Sequence, residues 1–336
     1  MTGNDRGDRA GKRAGDRSGT RPPLIAIVGP TAVGKTALSL DLAERFGCEI
    51  INGDSMQVYR RMDIGTAKLP PEERRGIPHH LIDIREPHEP FSVAEFQKLC
   101  AELINDIASR GRLPMLVGGT GLYVEAVCYG FPLSEAADAD PDFRRRMRAI
   151  AESEGPEVLH ARLKEVDPET AARLHPRDVK RVIRALEVYE TTGRPMSEVQ
   201  AQRRGEPKTS PYDLLILGLK MDREKLYERI ERRVEEMLAA GLVREVASLL
   251  AEGVPRTATS MQAIGYKEIA AYLAGETDYP AAVAALIRNT RRFAKRQLSW
   301  FRRMPGIVWV DAGEKKEILY RKTCDIITGK LLSNRE

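Results

Sequence analysis

The chain has 336 residues, enough for about two domains and a sizeable core. Charged residues make up 31% of it but the net charge is only +5, so a polyanionic partner must be met by local basic patches rather than by bulk charge. Four cysteines without a C-x-x-C pair argue against structural zinc and a disulfide framework, and fit a reducing, cytoplasmic setting.

Residues 1–21 carry Asp, Arg, Lys and Gly without an apolar run. They are expected to be a disordered tail, not a secretory signal. No stretch approaches the length of a membrane span. Leu24 to Val28 read as a buried parallel strand. The next residues, Gly29-Pro30-Thr31-Ala32-Val33-Gly34-Lys35-Thr36, fill the P-loop pattern G-x-x-x-x-G-K-T. Its glycines let several N–H groups converge, Lys35 adds a cation, and Thr36 opens a helix whose N-terminus favours anions. Ala37 to Phe46 are amphipathic at helical spacing, with Gly47 as the cap. The motif therefore lies between a strand and a helix, which favours a phosphate or diphosphate site over a glycine-rich turn with a chance lysine.

Glu49 to Asp54 predict a second strand ending in a carboxylate, and Ser55-Met56-Gln57-Val58-Tyr59 a turn or short helix. Ligands of open α/β sheets bind at the carboxyl ends of strands, which puts Asp54 on the P-loop rim. A simple N-cap role for Asp54 is the alternative. Residues 60–78 read as a loop and His80 to Ile84 as a third strand. His79 and His80 lack a further ligand at metal spacing and read as structural. Ser92 and Glu95 form a capping box, with Phe91 and Phe96 as its hydrophobic staple, for a helix to about Arg110. Leu113 to Val117 predict the next strand. A magnesium-binding Asp often ends such a strand in nucleotide hydrolases. Here Gly118-Gly119-Thr120-Gly121 follows, giving close backbone access and a hydroxyl on Thr120. Thr120 also suits a helix N-cap, and the two roles are compatible.

Residues 132–212 show no strand signal and read as an all-helical insertion. Between 141 and 208 there are 15 basic and 12 acidic residues, so any binding there rests on clusters such as Arg144 to Arg148 and Lys180-Arg181-Arg184. Tyr212 to Leu219 return to strand character. A helix from about Arg223 to Ala240 has the apolar stripe Leu226, Ile230, Val234, Met237 and Leu238, with Arg233 inside it and Arg229 at its edge. An inward arginine is costly unless it meets an anion, which points to a two-arginine clamp on the phosphate site. Snorkelling is the alternative. Thr259 to Glu268 lead into another helix. Residues 279–304 predict a long helix with Arg288, Arg291, Arg292, Lys295 and Arg296 on one side. Positions 288 to 303 hold seven basic residues and no acidic one, which favours contact with a polyanion. Ile307 to Val310 read as a final strand and 316–336 as a C-terminal tail or helix.

The expected fold is α/β. A P-loop NTPase-like parallel sheet flanked by helices, from 22–131 and 213–315, carries the all-helical insertion 132–212. Its phosphate loop could serve a kinase. It could equally hold a diphosphate leaving group while Asp54 acts as base on an acceptor and Thr120 hydrogen-bonds the departing oxygen.

Six segments carry a specific resemblance: Gly29 to Thr36, Asp54 to Tyr59, Met62 to Lys68, Pro78-His79-His80, Gly118 to Tyr123, and Arg296-Gln297-Leu298-Ser299-Trp300. Together they resemble the tRNA dimethylallyltransferase family over residues 22 to 312. The resemblance implies transfer of a dimethylallyl group from dimethylallyl diphosphate to N6 of adenine 37, next to the anticodon of tRNA. It implies Asp54 as the base and Thr120 as the group assisting at the bridging oxygen. Gly29, Pro30, Thr31, Ala32, Val33, Gly34, Lys35, Thr36, Arg229 and Arg233 are expected to hold the diphosphate with Mg2+, for which Thr36 supplies a hydroxyl. Asp54, Ser55, Met56, Gln57 and Thr120 are expected to meet the tRNA at the target base. Arg145, Lys180, Arg181 and Arg184 on the insertion, which resembles the family's anticodon-stem clamp, and Arg288, Arg291 and Arg292 are expected to grip the RNA. The enzyme is expected to be a cytoplasmic monomer without membrane attachment. Prenyl transfer to free adenine nucleotides and a P-loop small-molecule kinase stand as alternatives, against which the large basic-clustered insertion argues.

Overall fold

The computed structural model describes residues 21–130, 140–204 and 208–332. The tail expected at residues 1–20 lies outside the described residues. The first strand, β1 (Pro23–Val28), runs into the P-loop and then into α1 (Lys35–Phe46). β2 (Cys48–Asn52), β3 (His79–His80), α2 (Val93–Ser109), β4 (Leu113–Gly118) and α3 (Gly121–Tyr129) follow. After the helical segment come β5 (Asp213–Lys220), α9 (Arg223–Ala239), α10 (Leu242–Ala251), α11 (Tyr266–Leu273), α12 (Tyr279–Phe301), β6 (Ile307–Asp311) and α13 (Lys316–Ile327). The strands form one six-stranded sheet in the order β3-β2-β4-β1-β5-β6, and each pairing is parallel. Among the described residues no helix is long and apolar enough to cross a membrane.

Both faces of the sheet are covered, which is why β1 is apolar throughout rather than alternating. Leu24, Ala26 and Val28 join a core with Ile104 of α2, Val124 of α3, Val246 of α10 and Tyr266 of α11. Ile25 and Ile27 join the other core, with Leu38 and Leu42 of α1, Ile230 of α9 and Leu319 of α13. Helix α12 serves both: Leu286 and Phe301 enter the first core and Ala294 the second. Half of the expected capping box forms: Ser92 Oγ accepts from Glu95 N at 3.1 Å, but the Glu95 carboxylate pairs with Arg85 instead of reaching back to Ser92; the Phe91 and Phe96 rings meet edge to face.

Between α3 and β5 lie α4 (Pro141–Ser153), α5 (Pro156–Val166), α6 (Pro168–Arg173), α7 (Val179–Thr192) and α8 (Met196–Arg204). They pack around a separate core of Phe143, Leu159, Leu163, Ala171, Val182, Ile183 and Leu186. Buried Glu187 fastens two of these helices, accepting from Arg144 at 2.7 Å and Arg184 at 2.6 Å. Burial opposes its charge, yet the two guanidiniums hold its carboxyl below the usual range. The chain leaves and rejoins the sheet layer at one place, since a Cβ on Gly130 would lie 3.4 Å from the Pro211 ring.

Two elements differ from expectation. β3 stops at His80 instead of running to Ile84. Leu81 and Asp83 take left-handed φ values of 60° and 57°, which no strand tolerates. The Leu81 carbonyl is captured by Asn52 Nδ2 at 3.0 Å, and Asp83 and Ile84 pair with Gln57 and Val58 instead. The second is α10, which follows α9 after the single left-handed residue Gly241 with Leu242, Val246 and Leu249 buried at helical spacing, in a stretch where no element is expected from sequence.

The two histidines are structural. His79 Nδ1 donates to Ile77 O and His80 Nε2 donates to Glu49, each at 2.8 Å. Glu49 is buried and also accepts from Arg110. The Arg110 hydrogen bonds outweigh burial and, with His80, draw the Glu49 carboxyl down to about 2. Its folded pKa is depressed, so its contribution is complete above the unfolded value and fades as pH falls toward 2. Glu49→Gln should cost about 1–3 kcal/mol in urea denaturation at neutral pH. The gap to wild type should narrow as pH drops from about 5 toward 2.

Candidate functional site

The carboxyl ends of β1, β2 and β4 meet at one rim because β4 lies between the other two. The chain after β2 passes so close to the end of β4 that a Cβ on Gly118 would sit 2.2 Å from Gly53 O. Gly53 N donates to Val117 O at 2.8 Å. This contact brings Asp54 and Thr120 together. Thr120 is the N-cap residue of α3, but its hydroxyl makes no capping bond. It accepts instead from Ser55 N at 3.1 Å and donates to Ser55 Oγ at 3.3 Å. Thr120 is thus turned across the rim toward the Asp54 segment.

Asp54 is placed by buried Asn52, which accepts from Asp54 N and donates to Asp54 O, both at 3.0 Å. Asp54 Oδ1 accepts from Met56 N at 2.8 Å, so the residue closes a turn as well as facing the rim. It begins no helix, which removes the N-cap alternative. Gln57 points its amide at the carbonyls of Thr66 and Ala67, at 3.1 and 3.4 Å.

The P-loop lies alongside. Lys35 Nζ donates to Gly29 O at 3.0 Å and Pro30 O at 2.8 Å, closing the loop on itself. Burial, followed by the repulsion of Arg233, pushes the Lys35 ammonium down to about 7, while Asp54 opposes the shift. Arg233 lies 3.4 Å from Thr31 Oγ1 and Arg229 3.5 Å from Val33 O, so both reach the loop from α9. Burial lowers the Arg233 pKa and Asp54 raises it. Two guanidiniums and Lys35 thus meet at the P-loop, a concentration of cationic side chains that suits an anion. Arg229 and Arg233, read from the helix stripe as inward-facing, both point at the P-loop.

Among the described residues no three His, Cys, Asp or Glu side chains converge as a metal site. The side-chain oxygens at the phosphate loop include the hydroxyls of Thr31 and of exposed Thr36, the latter in the first turn of α1. That sparse donor set suits Mg2+, which keeps its waters and leans on substrate phosphate oxygens.

The basic residues divide into free and engaged ones. Arg288, Arg292 and Lys295 are exposed on α12. Arg291 pairs with Glu231 and stacks 4.8 Å from the Tyr227 ring. Together with Arg223 these residues line a cleft of about 570 Å³ between α9 and α12. On the insertion Lys180 is exposed, Arg145 pairs with Asp142, and Arg181 lies 3.4 Å from Asp178. Arg184 is held by Glu187, three residues on along the same helix.

One rim residue lies in the 296–300 segment without a role assigned to it from sequence. Gln297 of α12 is buried, accepts from Thr31 N at 2.9 Å and donates to Gly119 O at 2.9 Å. It ties the P-loop to the junction before Thr120. Its signal is a polar side chain on the apolar face of α12, three residues after Ala294 and four before Phe301.

Comparison with known proteins gives a consistent picture. The family model for IPP transferase matches residues 57–304. A tRNA dimethylallyltransferase of Symbiobacterium thermophilum is 57% identical, over 86% of this chain and 89% of the relative. One from Geobacillus kaustophilus is 53% identical, over 85% and 89%. The crystal structure of a full-length tRNA isopentenylpyrophosphate transferase from Bacillus halodurans matches with a TM-score of 0.70 at 48% identity, over 93% of this chain and 97% of that one. A eukaryotic dimethylallyltransferase acting on tRNA matches with a TM-score of 0.78 at 32% identity, over 94% and 80%. With a parallel sheet that joins phosphate loop, carboxylate and threonine at one rim, and with these relatives along nearly its whole length, the chain belongs to the IPP transferase family.

Proposed function

We propose that this enzyme transfers a dimethylallyl group from dimethylallyl diphosphate to N6 of adenine 37 in the anticodon loop of tRNA, giving N6-isopentenyladenosine and diphosphate. The observation that carries the reading is the rim itself, with Asp54 and Thr120 side by side and an anion cradle lined by Lys35, Arg229 and Arg233 next to them.

The donor's diphosphate takes the cradle, with P-loop N–H groups, Lys35 and the two arginines meeting its oxygens. Mg2+, when bound through those oxygens and the Thr36 hydroxyl, would add charge neutralisation to the leaving group. The adenine is flipped out of its stack, at a cost of a few kcal/mol, so that N6 can approach the allylic carbon. As the C1–O bond breaks, its electron pair stays on the bridging oxygen. The Thr120 hydroxyl turns from Ser55 to donate to that oxygen. The new N6–C1 bond makes N6 acidic, and Asp54 takes its proton. Catalysis arises because the positive groups bind the separating diphosphate more strongly than the intact ester. The exposed cations of α12 and the insertion suit the phosphate backbone, which positions the RNA, while unstacked loop bases are read near Asp54 to Gln57.

Labelled dimethylallyl diphosphate offered with tRNA, AMP or ATP tests the reading directly. Label in adenosine of tRNA is expected, and label in a mononucleotide alone would replace this reading with the free-nucleotide one. Asp54→Ala should lower the single-turnover rate by about 10²–10⁴-fold with tRNA affinity little changed. A rate near wild type would remove Asp54 as the base.

The lowered Lys35 pKa gives a pH signature. Free Lys35 loses its proton above about 7, and the bound diphosphate restores it, so binding draws in a proton and weakens as pH rises past 7. Titration calorimetry of the donor at about pH 8, in buffers of different ionisation heat, should report uptake near one proton for wild type and none for Lys35→Met.

A further inference from the structure

Helix α10 lies away from the rim, yet one of its side chains holds the loop behind it. The carboxylate of Glu245 accepts from three consecutive backbone N–H groups, those of Asp63 at 2.9 Å, Ile64 at 2.8 Å and Gly65 at 3.1 Å. The hydroxyl of fully buried Tyr266 on α11 donates to the same carboxylate at 2.5 Å. Burial and this neighbouring charge push the Tyr266 pKa far up, so the phenol keeps its proton and remains a donor. A chain with any side chain at Gly65 could not come this close, because a Cβ there would lie 2.5 Å from the Tyr266 ring. The loop is thus wrapped around an anion supplied by the protein itself, in the way that consecutive amides wrap a phosphate.

The other side of the loop reaches the acceptor segment. The carbonyls of Thr66 and Ala67 receive the Gln57 amide, and Ala67 takes a left-handed φ of 47° to present its own. Lys68 Nζ ties the loop to Tyr59 O at 2.9 Å and to the carboxylates of Asp63 and Asp83. A continuous chain of contacts therefore runs from Glu245 through residues 63–67 to Gln57, three residues from Asp54 along the backbone.

We propose that Glu245 is a positioning residue for the acceptor side of the reaction. It fixes the 63–67 loop and, through Gln57, holds the Asp54 to Gln57 segment in register with the RNA. The diphosphate cradle, built from β1, α1 and α9, does not depend on it. This inference rests on the acceptor reading given above.

Glu245→Gln keeps the shape but turns an NH2 group toward N–H donors. It should lower kcat/KM for tRNA by about ten- to a hundredfold, the range for losing hydrogen bonds to a charged group. The dissociation constant for dimethylallyl diphosphate should stay within about twofold of wild type. Tyr266→Phe removes one donor and leaves the three amides, so it should have the smaller effect. Added to Gln57→Ala, Glu245→Gln should cost much less than it does alone, because both act through the same contact. Activity within about twofold of wild type, donor binding lost in parallel, or full additivity with Gln57→Ala would each overturn the proposal. Should Glu245→Gln fail to fold, amide exchange in the wild-type protein decides. The amides of Asp63, Ile64 and Gly65 should exchange far more slowly than open loop amides, and exchange at open-loop rates overturns the latch. An inactive wild type would instead count against the acceptor reading, so the two failures are distinguishable.

Discussion

The contact of Gly53 with Gly118 sets the geometry of the rim. Backbone meets backbone there, with no room for a side chain, and the turns leaving β2 and β4 are pressed together. The consequence is chemical. A carboxylate and a hydroxyl from different strands face one volume, and neither needs a flexible linker to get there. Groups placed this way lose little freedom when a ligand meets them, which is the condition positioning needs to help a reaction.

Around that contact the rim is cross-braced by groups that are not themselves reactive. Gln297 spans from the P-loop amide of Thr31 to the carbonyl of Gly119, linking the phosphate loop to the junction before Thr120. Because Gln297 sits on α12, the helix that bears the exposed cations is locked to the phosphate loop. Asn52 does the same on a smaller scale, holding both the amide and the carbonyl of Asp54 while capturing Leu81 O. Each brace is a buried side-chain amide with donors and acceptors both satisfied, the condition under which buried polar groups rigidify a site.

What the sequence made legible follows from the range of each signal. The P-loop, the Ser92 N-cap and the apolar stripe that exposed Arg233 as inward-facing are local patterns of spacing, and they appear as read, whereas the return bond from Glu95 was lost to Arg85, ten residues away. The rim position of Asp54 followed from the rule that ligands gather at strand ends. Gln297 was hidden because its partner Thr31 lies 266 residues away. Glu245 was hidden for the same reason, 182 residues from Asp63, and sat in a helix that itself went unread. The early end of β3 turned on left-handed residues that look like ordinary strand formers, Leu81 among them. The basic clusters also proved mixed: Arg291 is tied to Glu231, sixty residues away, and Arg184 to Glu187 on its own helix.

The meeting of Gly130 with Pro211 makes the helical segment between them a detachable plug. Its two ends stand in van der Waals contact, and its core shares no buried residue with the sheet cores. A chain that crosses from one side of this junction to the other needs only a tight turn, so the segment can lengthen, shrink or change its charge without shifting a strand. The outline of the helical segment and the geometry of the rim are in this way mechanically separable, and the rim stays fixed by the packing of β1, β2 and β4.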